Sequence, residues 1–243
     1  IPSQAGRRVL ITGANSGIGY ATALAPARKG ATVMLACRNR ERGEEAVAKL
    51  LDEAPGAQVT LEALDLSSLA SVRALAAREL ERNLPLDLLI NNAGVMAPPK
   101  RLETADVFEL QFGTNHLAHY VLTGLLLPAL LEANRGRVVT VSSVAHHGGG
   151  ADVLEANVGA GYDPQHTYSN SKLANLLFTK ELQRRLDAAG SPVTALSAHP
   201  GYSETNLQGH AAGKVSNSLM SLGNKLATDA GFGARQTIFA ASQ

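Results

Sequence analysis

Apolar, β-branched runs at 8–12, 32–36, 58–61, 87–91, 137–142 and 192–198 alternate with stretches carrying apolar residues at helical spacing, at 17–29, 40–53, 68–82, 103–131 and 167–189. This βαβ alternation is the strongest constraint on the fold, because strands joined through helices run parallel and are covered on both faces. Val9-Leu10-Ile11 and Leu88-Leu89-Ile90 are apolar on both faces, as such burial requires. The expected architecture is α/β: a single doubly wound Rossmann-type domain over residues 1–243, a parallel sheet with helices on both faces. Ligands of such sheets bind beyond the carboxyl ends of the strands, so chemistry is sought just after each strand.

Composition narrows the function classes. The 243 residues are 45% apolar and 18% charged, enough apolar surface for one core. Twenty-two basic and 21 acidic residues leave a net charge of +1 with no long run of either sign, which argues against a nucleic-acid or anionic-lipid partner. One cysteine, Cys37, allows no intrachain disulfide and suits a reducing, cytoplasmic setting. The longest apolar stretch, 120–131, holds Gly124 and Pro128 and falls short of the ~20 residues that span a bilayer, so no membrane span is expected. Segments 148–164 and 211–224 read as irregular, and Pro26 is expected to kink the first helix.

Directly after the first strand stands Thr12-Gly13-Ala14-Asn15-Ser16-Gly17-Ile18-Gly19. Its glycines permit a tight turn and let backbone amides approach a pyrophosphate at a helix N-terminus. Asp65-Leu66 after the third strand and Asn91-Asn92-Ala93-Gly94 after the fourth outline an adenosine groove, although an Asp in such a place also serves as a loop or helix cap. Ala36-Cys37-Arg38-Asn39 stands where an acidic residue would bind a ribose 2′-hydroxyl. A neutral Cys37 followed by Arg38 favours a 2′-phosphate, hence NADP(H), over the alternative of a solvated surface charge.

Ser142 and Ser143 follow the fifth strand, and Tyr168-Ser169-Asn170-Ser171-Lys172 opens a long helix, with Tyr168 and Lys172 on one face. Together with the glycine turn and the Asn-Asn-Ala-Gly segment, these residues resemble the short-chain dehydrogenase/reductase family over nearly the whole chain. Thr114-Asn115-His116-Leu117, Val141-Ser142-Ser143-Val144-Ala145-His146 and Ser171-Lys172-Leu173-Ala174-Asn175 are similar to the branch of retinol dehydrogenases and light-dependent protochlorophyllide reductases. The resemblance implies a catalytic set of Asn115, Ser143, Tyr168 and Lys172. Tyr168 is then the acid/base, Lys172 lowers its pKa and binds the nicotinamide ribose, and Ser143 polarises the substrate oxygen. Asn115 bends its helix and holds a water beside the lysine. Pro200, Gly201 and Thr205 match the loop over the nicotinamide.

No metal is implied, and the seven histidines read as structural or solvated, with His146 and His147 close enough to Ser143 to line a pocket. The family's last strand has no counterpart before Gln243. Six strands are therefore expected, with 192–198 at the edge, continuation of the chain beyond Gln243, and a segment 211–224 dependent on ligand. The resulting expectation is an NADP(H)-dependent oxidoreductase, monomeric or a small homo-oligomer, that moves hydride between nicotinamide and a carbonyl or alcohol of a lipophilic small molecule. Reduction of a conjugated C=C bond and a catalytically idle NADP(H)-binding module are the alternatives.

Overall fold

The computed structural model describes residues 1–155, 161–201 and 230–242. Thr205 and segment 211–224 lie outside the described residues. One parallel sheet holds β1 (Arg8–Thr12), β2 (Thr32–Cys37), β3 (Gln58–Ala63), β4 (Leu88–Asn91), β5 (Arg137–Val141) and β6 (Thr194–Ala198), in the order β3-β2-β1-β4-β5-β6. All five pairings are parallel, and Leu10 sits level with Met34 on one side and Leu89 on the other. The chain runs outward from β1 through β3, then crosses back to place β4 on the other side of β1. That reversal opens a crevice at the carboxyl ends of β1 and β4.

The strand period of two assigns each residue to a layer. Leu10 and Met34 face a core shared with α3 (Leu69–Glu81) and the helix ending at Leu131, through Val72, Leu75, Leu122 and Leu126. Val9, Ile11, Val33 and Leu35 face the opposite core, with α1 (Gly17–Ala27), α2 (Arg40–Glu53) and the last helix, α6 (Ala230–Ser242). Helices therefore cover both faces, as the doubly wound pattern requires.

Two sequence expectations are corrected. A single helix over 103–131 does not form: Glu103 and Glu109 make an isolated antiparallel bridge instead, and the helix starts at Leu110. The Glu109 side chain accepts from the amide of Phe112 and closes that N-terminus. From there α4 runs through Leu110–Phe112, a π turn at Gly113–Leu117 and Ala118–Leu131. Pro26, in turn, falls not within a helix running to residue 29 but one residue before the end of α1, where its carbonyl accepts from the amides of Lys29 and Ala31. Without an amide hydrogen Pro26 cannot donate to the carbonyl of Thr22, so the helix loses one bond in its last turn.

The helix α5 (Pro164–Ala188) begins three residues earlier than periodicity suggests, because Asp163 caps the amides of Gln165 and His166 and Pro164 fits the first turn. At the amino ends of the strands, far from the crevice, Arg8 pairs with Glu79 at 2.7 Å, with 14% and 3% of the two side chains exposed, and Arg82 reaches the same carboxylate at 2.9 Å. Removing one partner strands the other in a poorly hydrated place. Glu79→Ala should therefore cost about 3 kcal/mol in urea unfolding and leave nucleotide affinity unchanged.

Candidate active site

The crevice is built first by glycine. Gly13 has φ +66°, and a Cβ there would stand 2.8 Å from Ala93 Cβ; at Gly19 a Cβ would come within 2.3 Å of the Gly13 carbonyl. Only a chain without side chains at these points lets the turn after β1 press against the segment after β4. Asn92 seals the contact, its Nδ2 donating to the Thr12 carbonyl at 2.8 Å. Thr12 Oγ1 accepts from the amides of Asn92 at 2.9 Å and Ala93 at 3.0 Å.

Beside this turn lies a groove of about 390 Å³ lined by Asn15, Ser16, Gly17 and Tyr20 of the turn and α1 and by Arg42, Glu45 and Lys49 of α2. Ser16 occupies the N-cap of α1 without a side-chain capping bond, so the first-turn amides there are left for an acceptor from outside. Ile18 is buried and holds the turn to the core. Cys37 is buried, and loss of hydration pushes its thiol up to about 11, so no negative charge faces the turn at the end of β2. Gly94 completes the cradle: a Cβ there would lie 3.1 Å from Asn115 Oδ1 and 3.6 Å from Lys172 Nζ. A glycine-built cradle, uncapped helix amides and basic groove residues fit a dinucleotide.

Other residues singled out in the sequence have local duties as well. Asn39 caps α2 by accepting from the Arg42 amide at 2.9 Å, and Arg38 beside it is exposed. Asp65 Oδ1 accepts from the amide and hydroxyl of Ser67, at 2.9 and 2.6 Å, which is the loop-capping alternative; Leu66 is buried in the core. Pro200 and Gly201 follow β6, and the Gly201 amide donates to His199 Nδ1 at 3.2 Å with φ +68°. Arg42 and Lys49 were not singled out in the sequence. The available signal for Arg42 was that a helical side chain leans toward its own N-terminus, which brings the first turn of α2 to the mouth of β2; Lys49, in the third turn, had none.

Tyr168 and Lys172 meet as helical spacing requires, the ammonium 5.6 Å from the phenol ring centre, with both side chains buried. Burial raises the Tyr168 phenol above its usual value, and a hydrogen bond with Ser143 pulls it back down. Lys172 Nζ donates to the Val141 carbonyl at 3.2 Å, and burial lowers its ammonium to about 8. Ser142 faces away from the phenol, its hydroxyl donating to the Lys172 carbonyl at 2.8 Å, which pins α5 to the end of β5. Its duty is to hold the lysine-bearing turn in register.

Asn115 lies in the π turn and is wholly buried. Its Oδ1 accepts from the Val95 amide at 2.8 Å and its Nδ2 donates to the Val95 carbonyl at 2.9 Å, with a further bond to Ser171 Oγ at 3.0 Å. Ser171 donates in turn to the Tyr168 carbonyl at 2.7 Å. The π turn, the segment after Gly94 and the tyrosine-bearing helix are thus tied through one carboxamide. On the other side of Ser143 a cleft of about 510 Å³ opens, walled by His146, Leu196, His199, Gln236 and Phe239. His146 donates from Nδ1 to the Ser143 carbonyl at 2.7 Å and stacks on His147 with ring centres 4.0 Å apart. Among the described residues no group of three His, Cys, Asp or Glu side chains could hold a metal, and no helix is long and apolar enough to cross a membrane.

A buried lysine held near 8 makes a signed prediction. Its folded pKa lies below the unfolded value of 10.5, so the unfolded chain binds the extra proton between those values, and stability rises with pH across that range. The burial costs about 3 kcal/mol at neutral pH and the loss is recovered from about pH 8 upward, until tyrosine ionisation in the unfolded chain intervenes near 10. Urea unfolding of the ligand-free protein at pH 7, 8, 9 and 10 should show this rise, and Lys172→Met should abolish it.

Comparison with known proteins agrees with the geometry. The profile of short chain dehydrogenases matches residues 7–215. Retinol dehydrogenase 13 of Homo sapiens is 46% identical over 213 residues, covering 86% of this chain and 63% of its own length, and polyprenol dehydrogenase of Mus musculus is 46% identical over 215 residues, covering 87% and 64%. The chain thus spans less than two thirds of these relatives. An uncharacterized protein from Mycobacterium Paratuberculosis has a crystal structure that superposes with a TM-score of 0.81 at 50% identity, over 100% of this chain and 79% of that one. A protein from Beutenbergia cavernae described as a putative NAD(P) dependent gluconate 5-dehydrogenase, crystallised with NADP at low occupancy, superposes at 0.77 with 27% identity, over 99% and 91%. With the glycine turn, the Ser143–Tyr168–Lys172 cluster and the Asn115 turn in one crevice, and the family profile running through all of them, the chain belongs to the short chain dehydrogenase family and resembles its retinol dehydrogenases.

Proposed function

We propose that this protein is an NADP(H)-dependent oxidoreductase that interconverts an alcohol and a carbonyl on a lipophilic small molecule, with residues 1–243 acting as one nucleotide-binding domain. The observation that carries the reading is the phenol of Tyr168, buried, bonded to Ser143 and backed by the ammonium of Lys172. When bound, the nicotinamide supplies or accepts the hydride. Gly13, Asn15, Ser16, Gly17, Ile18 and Gly19 would hold the pyrophosphate. Asp65, Leu66, Asn92, Ala93 and Gly94 would hold the adenosine and ribose side, and Pro200, Gly201 and Thr205 the carboxamide.

In the reducing direction Tyr168 enters as a neutral phenol, the form that burial favours, and gives its proton to the substrate oxygen as charge develops there. Lys172 stabilises the phenolate left behind. Ser143 donates its single hydroxyl hydrogen to the same oxygen. Asn115 fixes Val95 and Ser171 around them, so that the acid, the donor and the cation keep one geometry.

The names of the relatives support a lipophilic alcohol, since retinol and polyprenols are long apolar molecules ending in a hydroxyl. Neutral Cys37, exposed Arg38 and the groove cations Arg42 and Lys49 support a 2′-phosphate. NADPH should therefore bind at least about tenfold tighter than NADH, and Arg38→Ala with Arg42→Ala should erase that preference while NADH affinity stays unchanged. Fluorescence titration of both nucleotides checks this; equal affinities in the parent protein refute the assignment.

Tyr168→Phe should lower turnover by at least about a hundredfold with NADPH affinity preserved, because the hydroxyl acts on the substrate. Absorbance of the reduced nicotinamide against a panel of lipophilic aldehydes, ketones and enones, with product analysis, measures this and separates carbonyl from C=C reduction. A Tyr168→Phe protein that retains most of its rate would overturn the role of the phenol.

A further inference from the structure

His119 stands one turn beyond Asn115 in α4 and is 1% exposed. Its sequence position suggests only a structural or solvated histidine, but both ring nitrogens have specific partners. Nδ1 lies 3.0 Å from the carbonyl oxygen of Asn115, and Nε2 lies 2.9 Å from Thr12 Oγ1. A carbonyl only accepts, so Nδ1 carries the proton. The other nitrogen of a neutral ring accepts, and the Thr12 hydroxyl donates to it. Thr12 Oγ1 is also the acceptor for the amides of Asn92 and Ala93. The direction of every bond is thereby set, from the amides behind the nucleotide turn, through Thr12 and His119, to the π turn at Asn115.

The neutral state is secured by the surroundings. Burial pushes the imidazole down to about 4, with the charges of Lys172 and His116 acting in the same direction against the bond to Asn115. The geometry also explains why an imidazole is present. In the π turn the Ala118 amide donates to the Gly113 carbonyl, five residues back, and beside it the His119 ring adds a donor to the Asn115 carbonyl. A phenyl ring of similar size would fill the space without either bond.

We propose that His119 is a positioning residue that couples the nucleotide-binding turn to the π turn carrying Asn115, holding the cofactor seat and the proton-transfer group in one register. The proposal rests on the oxidoreductase reading of the site, and it is tested by dividing the two bonds. In His119→Asn the amide nitrogen takes the place of Nδ1, which keeps the link to Asn115 and loses the link to Thr12. In His119→Gln the longer amide reaches the place of Nε2, which keeps Thr12 and loses Asn115.

With NADPH titrated by fluorescence and all-trans-retinal as the turnover probe, His119→Asn should weaken NADPH binding about fivefold with kcat within about twofold. His119→Gln should lower kcat about tenfold with NADPH binding within about twofold. His119→Phe should show both losses. Wild-type values in a folded His119→Phe protein, or the same loss of both parameters in the Asn and Gln variants, would overturn the proposal. Nitrogen-15 spectra of the wild-type histidine ring supply a readout free of turnover and of variant folding: a neutral Nδ1–H ring at pH 6 is expected, and an Nε2–H tautomer or an imidazolium refutes it. If no carbonyl is turned over, the oxidoreductase reading fails, and the NADPH affinities and the ring tautomer still decide the role of His119.

Discussion

The pairing of β4 with β1, on the side away from β2, is the constraint on which the site depends. It brings the turn after β1 and the segment after β4 into contact at their carboxyl ends, and that contact exists only because Gly13 and Gly19 have no side chains. Thr12 and Asn92 stitch the two together through four hydrogen bonds, so the protein's own bonds shape the crevice. The helices then need only deliver side chains to a place the sheet has already made. α5 does so through Ser142, which fixes the turn of Lys172 to the end of β5, and α4 does so through its π turn.

The energetics run against stability at that place. Lys172 is buried with a carbonyl as its hydrogen-bond partner and, among the described residues, no carboxylate paired with it, and its lowered pKa reflects that cost. A buried ion pair lies at the other end of the sheet, where Arg8 and Glu79, joined by Arg82, tie β1 to α3. That pair adds stability away from the crevice, and a strained electrostatic arrangement is kept where, on the proposed mechanism, a proton moves. A lysine fully satisfied by a carboxylate would be more comfortable and less able to steady a phenolate.

Much of this was legible in the sequence, for identifiable reasons. Both-faced apolar runs such as Val9-Leu10-Ile11 specify buried parallel strands, and the six strands appear within a residue or two of their expected limits. The four-residue spacing of Tyr168 and Lys172 survives any helix boundary, so starting α5 at Pro164 did not disturb it. What escaped was set by partners distant in sequence. The stretch 103–109 has apolar residues at helical spacing, yet Thr104 Oγ1 takes the Phe108 amide and the Glu103–Glu109 bridge leaves no helix to form. His119 and Arg42 escaped for the same reason: nothing adjacent to them in the chain announces Thr12 or the glycine turn.

The bond pair between Asn115 and Val95 has a consequence of another kind. A single carboxamide takes both the amide and the carbonyl of residue 95, as a neighbouring strand would, so a loop that has left the sheet is gripped as though it were still in one. The grip reads main chain alone and is indifferent to what residue 95 carries. Variation at that position can change the side chain while the bond pair to Asn115 is kept, so the main-chain path of this loop can be inherited apart from what the loop displays.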